Sequence, residues 1–592
     1  MLSRLTIVFP LALAAIVFVA ACGPAAAPSP TTAPAAAAAP TQPAAAAAAK
    51  PTTAPAAAAP TQPAAAAAPT QPAAAAAPKP TTAPAAAAAP TQPAAAAAAG
   101  KPVKGGQLTV AMERDPTTFD PTKSQDVYSN AIIGLTVDSL YKIDDKGAVV
   151  GSLVEKTDNP QPNVYVMTLR KGIKFQDGTD VNAEAVKFNL DRHRNDPKGT
   201  RIQDVKDITD ISTPDPYTVQ ITLKAPFAPF TSKLTGGAGY VQSPTALAKL
   251  GDNLQRDLTG AGSGPYKFTQ WQKDTQIVLE RNPDYWGKDA DGTQLPYMDR
   301  IIFKPFPDEN VRLTNVKTGD ADVELGAPPY KDVEDLRKSP DLTVKEIAGL
   351  GFQFIFINNE KPPFNNAAVR RALSYAIDRE ELRQAVLFGT GKTLQLPVPE
   401  VIPWAYVKTG LPYSQRDVNK AKQELQTAGV ANPSFTFQIS NNSPQLQQVA
   451  ELVQNQIKDA GISMDIQLIE FATIVQNGNT GEYQALSLGW SGDVDPDGDL
   501  YSLLYTKAGF NFPKYTNPQF DKLLDDGRQN LDQAKRAQAY MDAQKILLDD
   551  QPMVVLYNQP QISVTRKEIQ NYPQTYNGYW GVRDLDKVWR SK

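Results

Sequence analysis

The densest polar and aromatic run in the chain is Gly489-Trp490-Ser491-Gly492-Asp493-Val494-Asp495-Pro496-Asp497-Gly498-Asp499. Two chemistries fit it. Asp493, Asp495, Asp497 and Gly498 match the opening of a calcium loop, a pattern that needs a bidentate Glu at its twelfth position. That position is Leu504, and Pro496 stiffens the middle of the run, which argues against calcium. In the second chemistry Trp490 stacks on a ligand while Asp493 pairs with the ligand's cation. A carboxylate facing an ammonium makes a charge-assisted hydrogen bond, stronger than a neutral one. Gly489, Ser491 and Gly492 complete the candidate ligand-binding set. The plainer alternative is a capping loop around a core Trp.

Other chemistry is scarce. The chain has 592 residues but one His and one Cys. One His cannot build a multi-His metal site, and any Ser-His-Asp or Cys-His mechanism would have to run through His193. No nucleophile elbow, phosphate loop or zinc-protease motif is present. The expectation is a protein that is not an enzyme and that uses no cofactor and no metal. With 59 Lys and Arg against 62 Asp and Glu, the net charge of −3 gives no support for nucleic-acid binding.

The N-terminus reads as an address. Arg4 is followed by an apolar run, Leu5 to Ala21, broken only by Thr6 and Pro10. It is short for a membrane span and has the form of a secretory signal peptide over residues 1–21. The run ends Val19-Ala20-Ala21-Cys22-Gly23, which resembles a bacterial lipobox. Lipidation of Cys22 would anchor the protein on a membrane, since each buried CH₂ of an acyl chain contributes about 0.8 kcal/mol. Residues 22–100 are Ala, Pro, Thr and Gln repeats that cannot form a packed core, and are expected to be a disordered, extended linker.

Strands and helices alternate through residues 101–592, so mixed α/β layers are expected. Gln107–Met112, Tyr165–Arg170 and Tyr217–Leu223 read as strands. A helix from Asn182 carries Val186, Leu190 and His193 on one face. Ser443 and Pro444 open another helix as N-cap and first residue. Gly461 stands at its C-terminal stop, and the strand Ile462–Leu468 follows. Further helices are expected over Asn366–Leu387 and Leu531–Leu548, the latter feeding the strand Met553–Tyr557. An apolar strand, Tyr483–Leu488, leads into the Trp490 run. The ends of strands in α/β sheets are where ligands bind.

Seven stretches then carry a resemblance. They are Val137-Asp-Ser-Leu-Tyr141, Leu169-Arg-Lys-Gly-Ile-Lys-Phe-Gln-Asp-Gly178, Gly262-Ser-Gly-Pro-Tyr-Lys267, Leu279-Glu-Arg-Asn-Pro-Asp-Tyr-Trp286, Asn358-Asn-Glu-Lys-Pro-Pro-Phe364, Val369-Arg-Arg-Ala-Leu-Ser-Tyr-Ala-Ile-Asp-Arg379 and Gly489-Trp-Ser-Gly-Asp493. In order and spacing the chain resembles the family-5 extracellular solute-binding proteins that serve ABC importers. The resemblance implies a two-lobed periplasmic-binding-protein-like α/β fold of the type II class. Lobe I would span 101–352 with an extra subdomain near 142–257, lobe II 353–557, and residues 558–592 would return to lobe I. Hinge strands are expected near Gly351 and Tyr557. It also implies that Asp493 holds the α-amino group of a peptide. Dipeptide binders in this family place an Arg at the helix opening in lobe II. This chain has Asn441-Asn-Ser-Pro-Gln-Leu-Gln-Gln448 there, which points to an oligopeptide rather than a dipeptide. Oligosaccharide capture is the alternative, and a sensory or chaperone-like surface protein a third. The partners implied are an ABC permease and ATPase, with the binding protein a membrane-tethered, extracytoplasmic monomer.

Overall fold

The computed structural model describes residues 101–144, 146–573 and 584–591. The expected signal peptide, Cys22 and the linker lie outside the described residues.

One large sheet organises the chain. Its strands run Ser463–Ile469, Ser434–Ser440, Ala485–Leu486, Leu342–Ile357, Met553–Arg566, Val323–Leu325, Gln107–Met112, Arg300–Pro305, Gln276–Arg281 and Tyr266–Gln272. The short strands Lys392–Thr393 and Gly489–Trp490 attach to its two longest members. These two, Leu342–Ile357 and Met553–Arg566, pair antiparallel over nearly their whole length and tie the halves together. Their register slips between Ala348 and Phe352. There the Asn558 side chain donates to the carbonyls of Gly349 and Gly351, at 2.7 and 2.8 Å. A side-chain amide thus replaces part of the ladder where the strand bends.

Alternation explains the core on one side of that slip. Phe352, Phe354 and Phe356 point to one face of their strand, and Ile355 and Ile357 to the other. All five are at most 2% exposed. The Phe face packs with Leu500, Leu503, Phe512 and Tyr540. The Ile face packs with Val369, Leu373, Val449 and Val453. Each buried side chain of this kind contributes about 1.5–3 kcal/mol, so this strand is the spine of one lobe. On the other side, Leu108, Val110, Ile301 and Phe303 build a second core with the helix Val127–Thr136.

A separate four-stranded antiparallel sheet lies between the first strand and the rest of that lobe in chain order. Its order is Val154–Gln161, Val164–Leu169, Thr218–Leu223, Ile208–Asp215. The helix Ala183–Asn195 covers it, with Asn182 as N-cap accepting from the Ala185 amide. His193 is on this helix and 2% exposed. The fold is the two-lobed α/β architecture with an extra subdomain.

Two expectations need correction. The helix expected over Asn366–Leu387 is two helices, Ala367–Ala376 and Arg379–Leu387. Asp378 breaks it by capping the second, its carboxylate accepting from the Glu381 amide at 2.9 Å. The helix after Ser443 stops as expected: Gly461 is left-handed at φ +81°, its amide donates to the Lys458 carbonyl at 2.9 Å and the Ile462 amide to that of Ile457 at 3.2 Å, the C′ glycine pattern. The strand expected over Tyr483–Leu488 is confined to Ala485–Leu486. Beyond it Ser487 donates its hydroxyl to the Phe354 carbonyl and accepts from Gln353, both at 2.6 Å, so side chains displace the ladder.

Candidate functional site

The two-residue strand Gly489–Trp490 pairs with Phe352 and Gln353, beside the register slip. Chain geometry there demands glycine. Gly492 has φ +74°, and a Cβ on it would come within 2.3 Å of the Leu350 carbonyl. The loop then reaches Asp495, which caps the helix Pro496–Leu504 through the Asp497 amide. By its residue types alone this segment reads as part of the polar cluster. The Pro at the first helical position and the Asp cap before it were the available signals. The Asp493 carboxylate lies over Gly498, where a Cβ would sit 2.3 Å from it.

Each carboxylate of the run has its own partner. Asp495 accepts from Arg536 Nη2 through both oxygens, at 2.7 and 2.8 Å. Asp497 accepts from Arg528 at 3.0 Å. Trp490 Nε1 donates to Asp499 Oδ1 at 2.8 Å. Asp493 Oδ2 is bridged by Lys233 Nζ at 2.5 Å. Burial pushes the Asp497 carboxyl up, opposed by the Arg528 charge. Burial, reinforced by the Asp493 charge, pushes that of Asp499 far above the carboxylate range. The run is therefore a charge-balanced helix start, and the arrangement does not resemble a calcium cage.

Trp490 is half-buried, and its ring meets Phe510 edge-to-face at 5.6 Å. Phe510 is 50% exposed, so the two form an aromatic wall open to solvent. Gly489 and Ser491 are exposed, while Gly492 and Asp493 are partly covered. The five expected residues thus occur together at the junction of the lobes. Lys233, Arg528 and Phe510 join the site from outside the run, and Asp499, within the run, joins it as acceptor for the Trp490 indole. Lys233 and Arg528 are 260 and 31 residues from their partners, and no local pattern marks such pairs.

The lobes meet here. Ala228 donates its amide to the Arg528 carbonyl at 2.8 Å. The Arg528 guanidinium lies 3.5 Å from the ring centre of Tyr501 and 4.8 Å from that of Phe227. His193 stands apart, on the helix over the four-stranded sheet, and reaches none of these groups. Asn441 and Asn442 are exposed at the turn before the helix Pro444–Lys458.

Fold and site together define a two-lobed binding protein with a polar and aromatic junction. Bacterial extracellular solute-binding proteins, family 5, match through their middle region over residues 148–512. The Probable D,D-dipeptide-binding periplasmic protein DdpA of Escherichia coli (strain K12) is 31% identical over 479 residues, covering 78% of this chain and 91% of that protein. Among solved structures, the periplasmic binding protein DppA of Helicobacter pylori, in complex with the peptide STSA, is 28% identical. It has a TM-score of 0.69, with 83% of this chain and 99% of that one covered. The oligopeptide-binding protein AppA of Bacillus subtilis, in complex with a nonapeptide, is 26% identical. Its TM-score is 0.67, with 83% and 100% covered. The chain belongs to the family-5 extracellular solute-binding proteins, which are ligand-binding transport components and not enzymes.

Proposed function

We propose that this protein captures a peptide between its two lobes and delivers it to the permease of an ABC importer. The observation that carries the reading is Asp493, a carboxylate at the lobe junction beside an open aromatic wall. An ammonium on Asp493 would make a charge-assisted bond. The exposed backbone at Gly489 and Ser491 would add an extended peptide as a strand, so that main-chain bonds give affinity with little demand on side chains. The peptide complexes of the H. pylori and B. subtilis relatives support this class of ligand. The absence of a cation in Asn441–Gln448 favours an oligopeptide over a dipeptide. An oligosaccharide is the second reading, because Trp490 and Phe510 would equally stack on sugar rings.

The lobes would close about the register slip at 349–351 and its partner strand near Tyr557, a hinge of few residues. Cys22 would carry the lipid anchor, and residues 22–100 would hold the captured solute near the permease at high effective concentration. The carrying role is tested at Asp493. Asp493→Asn should weaken binding of free-amino peptides roughly tenfold or more, since a hydrogen bond to a charged group contributes about 1.5–3 kcal/mol. A calorimetric loss of twofold or less would show that Asp493 does not hold the ammonium.

A further inference from the structure

Asp493 already has an ammonium. Lys233 Nζ and Asp493 Oδ2 are 2.5 Å apart, and the two side chains are 17% and 25% exposed. Lys233 ends the helix Phe230–Lys233, whose Phe230 is locked into the core of the four-stranded sheet. Asp493 belongs to the loop leaving Gly489–Trp490 in the opposite lobe. The bond therefore spans the two bodies that must part to admit a ligand.

Acidic groups face Lys233 from both sides. Asp493 and Asp497 lie across the junction, and Asp204, on the helix Ile202–Val205, lies in its own body. Burial alone would ease the proton off the amine, but the carboxylates of Asp493, Asp204 and Asp497 outweigh it and hold the proton in place. Burial pushes the Asp204 carboxyl up, and the charges of Lys233 and Arg201 oppose that rise. The remaining acids of the loop are engaged elsewhere: Asp495 with Arg536, Asp497 with Arg528, Asp499 with the Trp490 indole. A second ammonium arriving at Asp493 would meet Lys233 as a like charge. The lysine stem is flexible and its head is a point charge with rotatable donors, and the Asp204 charge acts on it from its own body as Asp493 does from the other.

We propose that Lys233 is a built-in occupant of the ligand's ammonium subsite: it latches the lobes together on Asp493 when no ligand is present and turns back to Asp204 when a ligand ammonium takes Asp493. This rests on the peptide reading above. The contact is intramolecular, so it competes at a high effective concentration and sets the threshold that a free amino terminus must beat. A ligand without an ammonium offers Asp493 no replacement for Lys233, so the latch re-forms once the lobes close on it.

The test uses the full chain and a random tetrapeptide pool offered together with its N-acetylated copy. The readout is the ratio of free-amino to acetylated peptide retained after gel filtration, measured by mass spectrometry. Lys233→Met keeps the stem and removes the competitor, and should raise that ratio about tenfold. Asp204→Asn removes the resting place and should lower it about fivefold. A ratio within twofold of wild type in Lys233→Met overturns the latch. A fall in that variant also overturns it, by making Lys233 a ligand contact. Should Lys233→Met fail to fold, Asp204→Asn decides, and a ratio that does not fall there overturns the proposal. If wild type retains neither pool, the peptide reading itself fails and the latch with it. If it retains peptide and the ratio does not move, the latch alone fails.

Discussion

At the scale of single residues, the chain solves a charge problem four times within seven positions. Asp493, Asp495 and Asp497 each find a cation, and Asp499 accepts from the Trp490 indole while burial pushes its carboxyl up. A buried carboxylate is costly unless it is paired or hydrogen-bonded, and each of the four has such a partner. The single histidine shows the same rule in reverse. Burial, helped by the Arg192 charge, lowers His193 to about 4. A free histidine titrates near 6.5, so the unfolded chain takes up a proton before the folded one does. The stability this provides is complete above pH 6.5 and is lost as pH falls from there toward 4, roughly 3 kcal/mol in all. Because the chain has one histidine, its imidazole resonances in an NMR titration are unambiguous. They should stay neutral at pH 5.5 and move near pH 4. A midpoint near 6.5 would mean that the ring is open to water.

At the scale of elements, local chemistry outranks periodicity where the two conflict. The apolar pattern across Asn366–Leu387 runs on without pause, yet the chain turns at Ile377–Asp378. Arg379, 2% exposed, explains why. Its guanidinium donates to the carbonyls of Val555, Ser374 and Tyr413 and to the Ser374 hydroxyl. The Ser374 bonds are local, but those to Val555 and Tyr413 reach another strand and a distant loop, 176 and 34 residues away, beyond any local window of sequence. Asp378 then caps the new helix. Asp378→Ala should destabilise the protein by about 1 kcal/mol in urea unfolding. No loss, or a gain, would show that the break does not depend on the cap. The strands Gln107–Met112 and Met553–Tyr557 and the helix opening at Ser443 and Pro444 were legible because propensity, pattern and caps agree there. The second half of the strand Met553–Arg566 was not, because Asn558, Gln559 and Pro560 interrupt the apolar run at the bend. The five residues Gly489–Asp493 were legible as a cluster, whereas their partners Lys233, Arg528 and Phe510 arrive only through tertiary folding.

At the scale of the whole molecule, two long strands carry the covalent and hydrogen-bonded link between lobes, and side chains carry the rest. Phe352, Phe354 and Phe356 commit one end of the Leu342–Ile357 strand to one lobe's core, while Val344 packs against the cluster around Ala111 and Leu313 in the other. The slip between them falls beside Gly492, Trp490 and Asp493, so bending there would move the ligand's contacts together with the lobes. Family membership makes the protein a solute-binding component of transport, and the Asp493 carboxylate beside an open aromatic wall supports peptide as its proposed solute. The most direct measurement is mass spectrometry of the ligand released by mild denaturation from protein purified natively. The account predicts peptides with free amino termini, one per protein. Released glycans, or an empty protein that stays empty when offered a peptide pool, would contradict it.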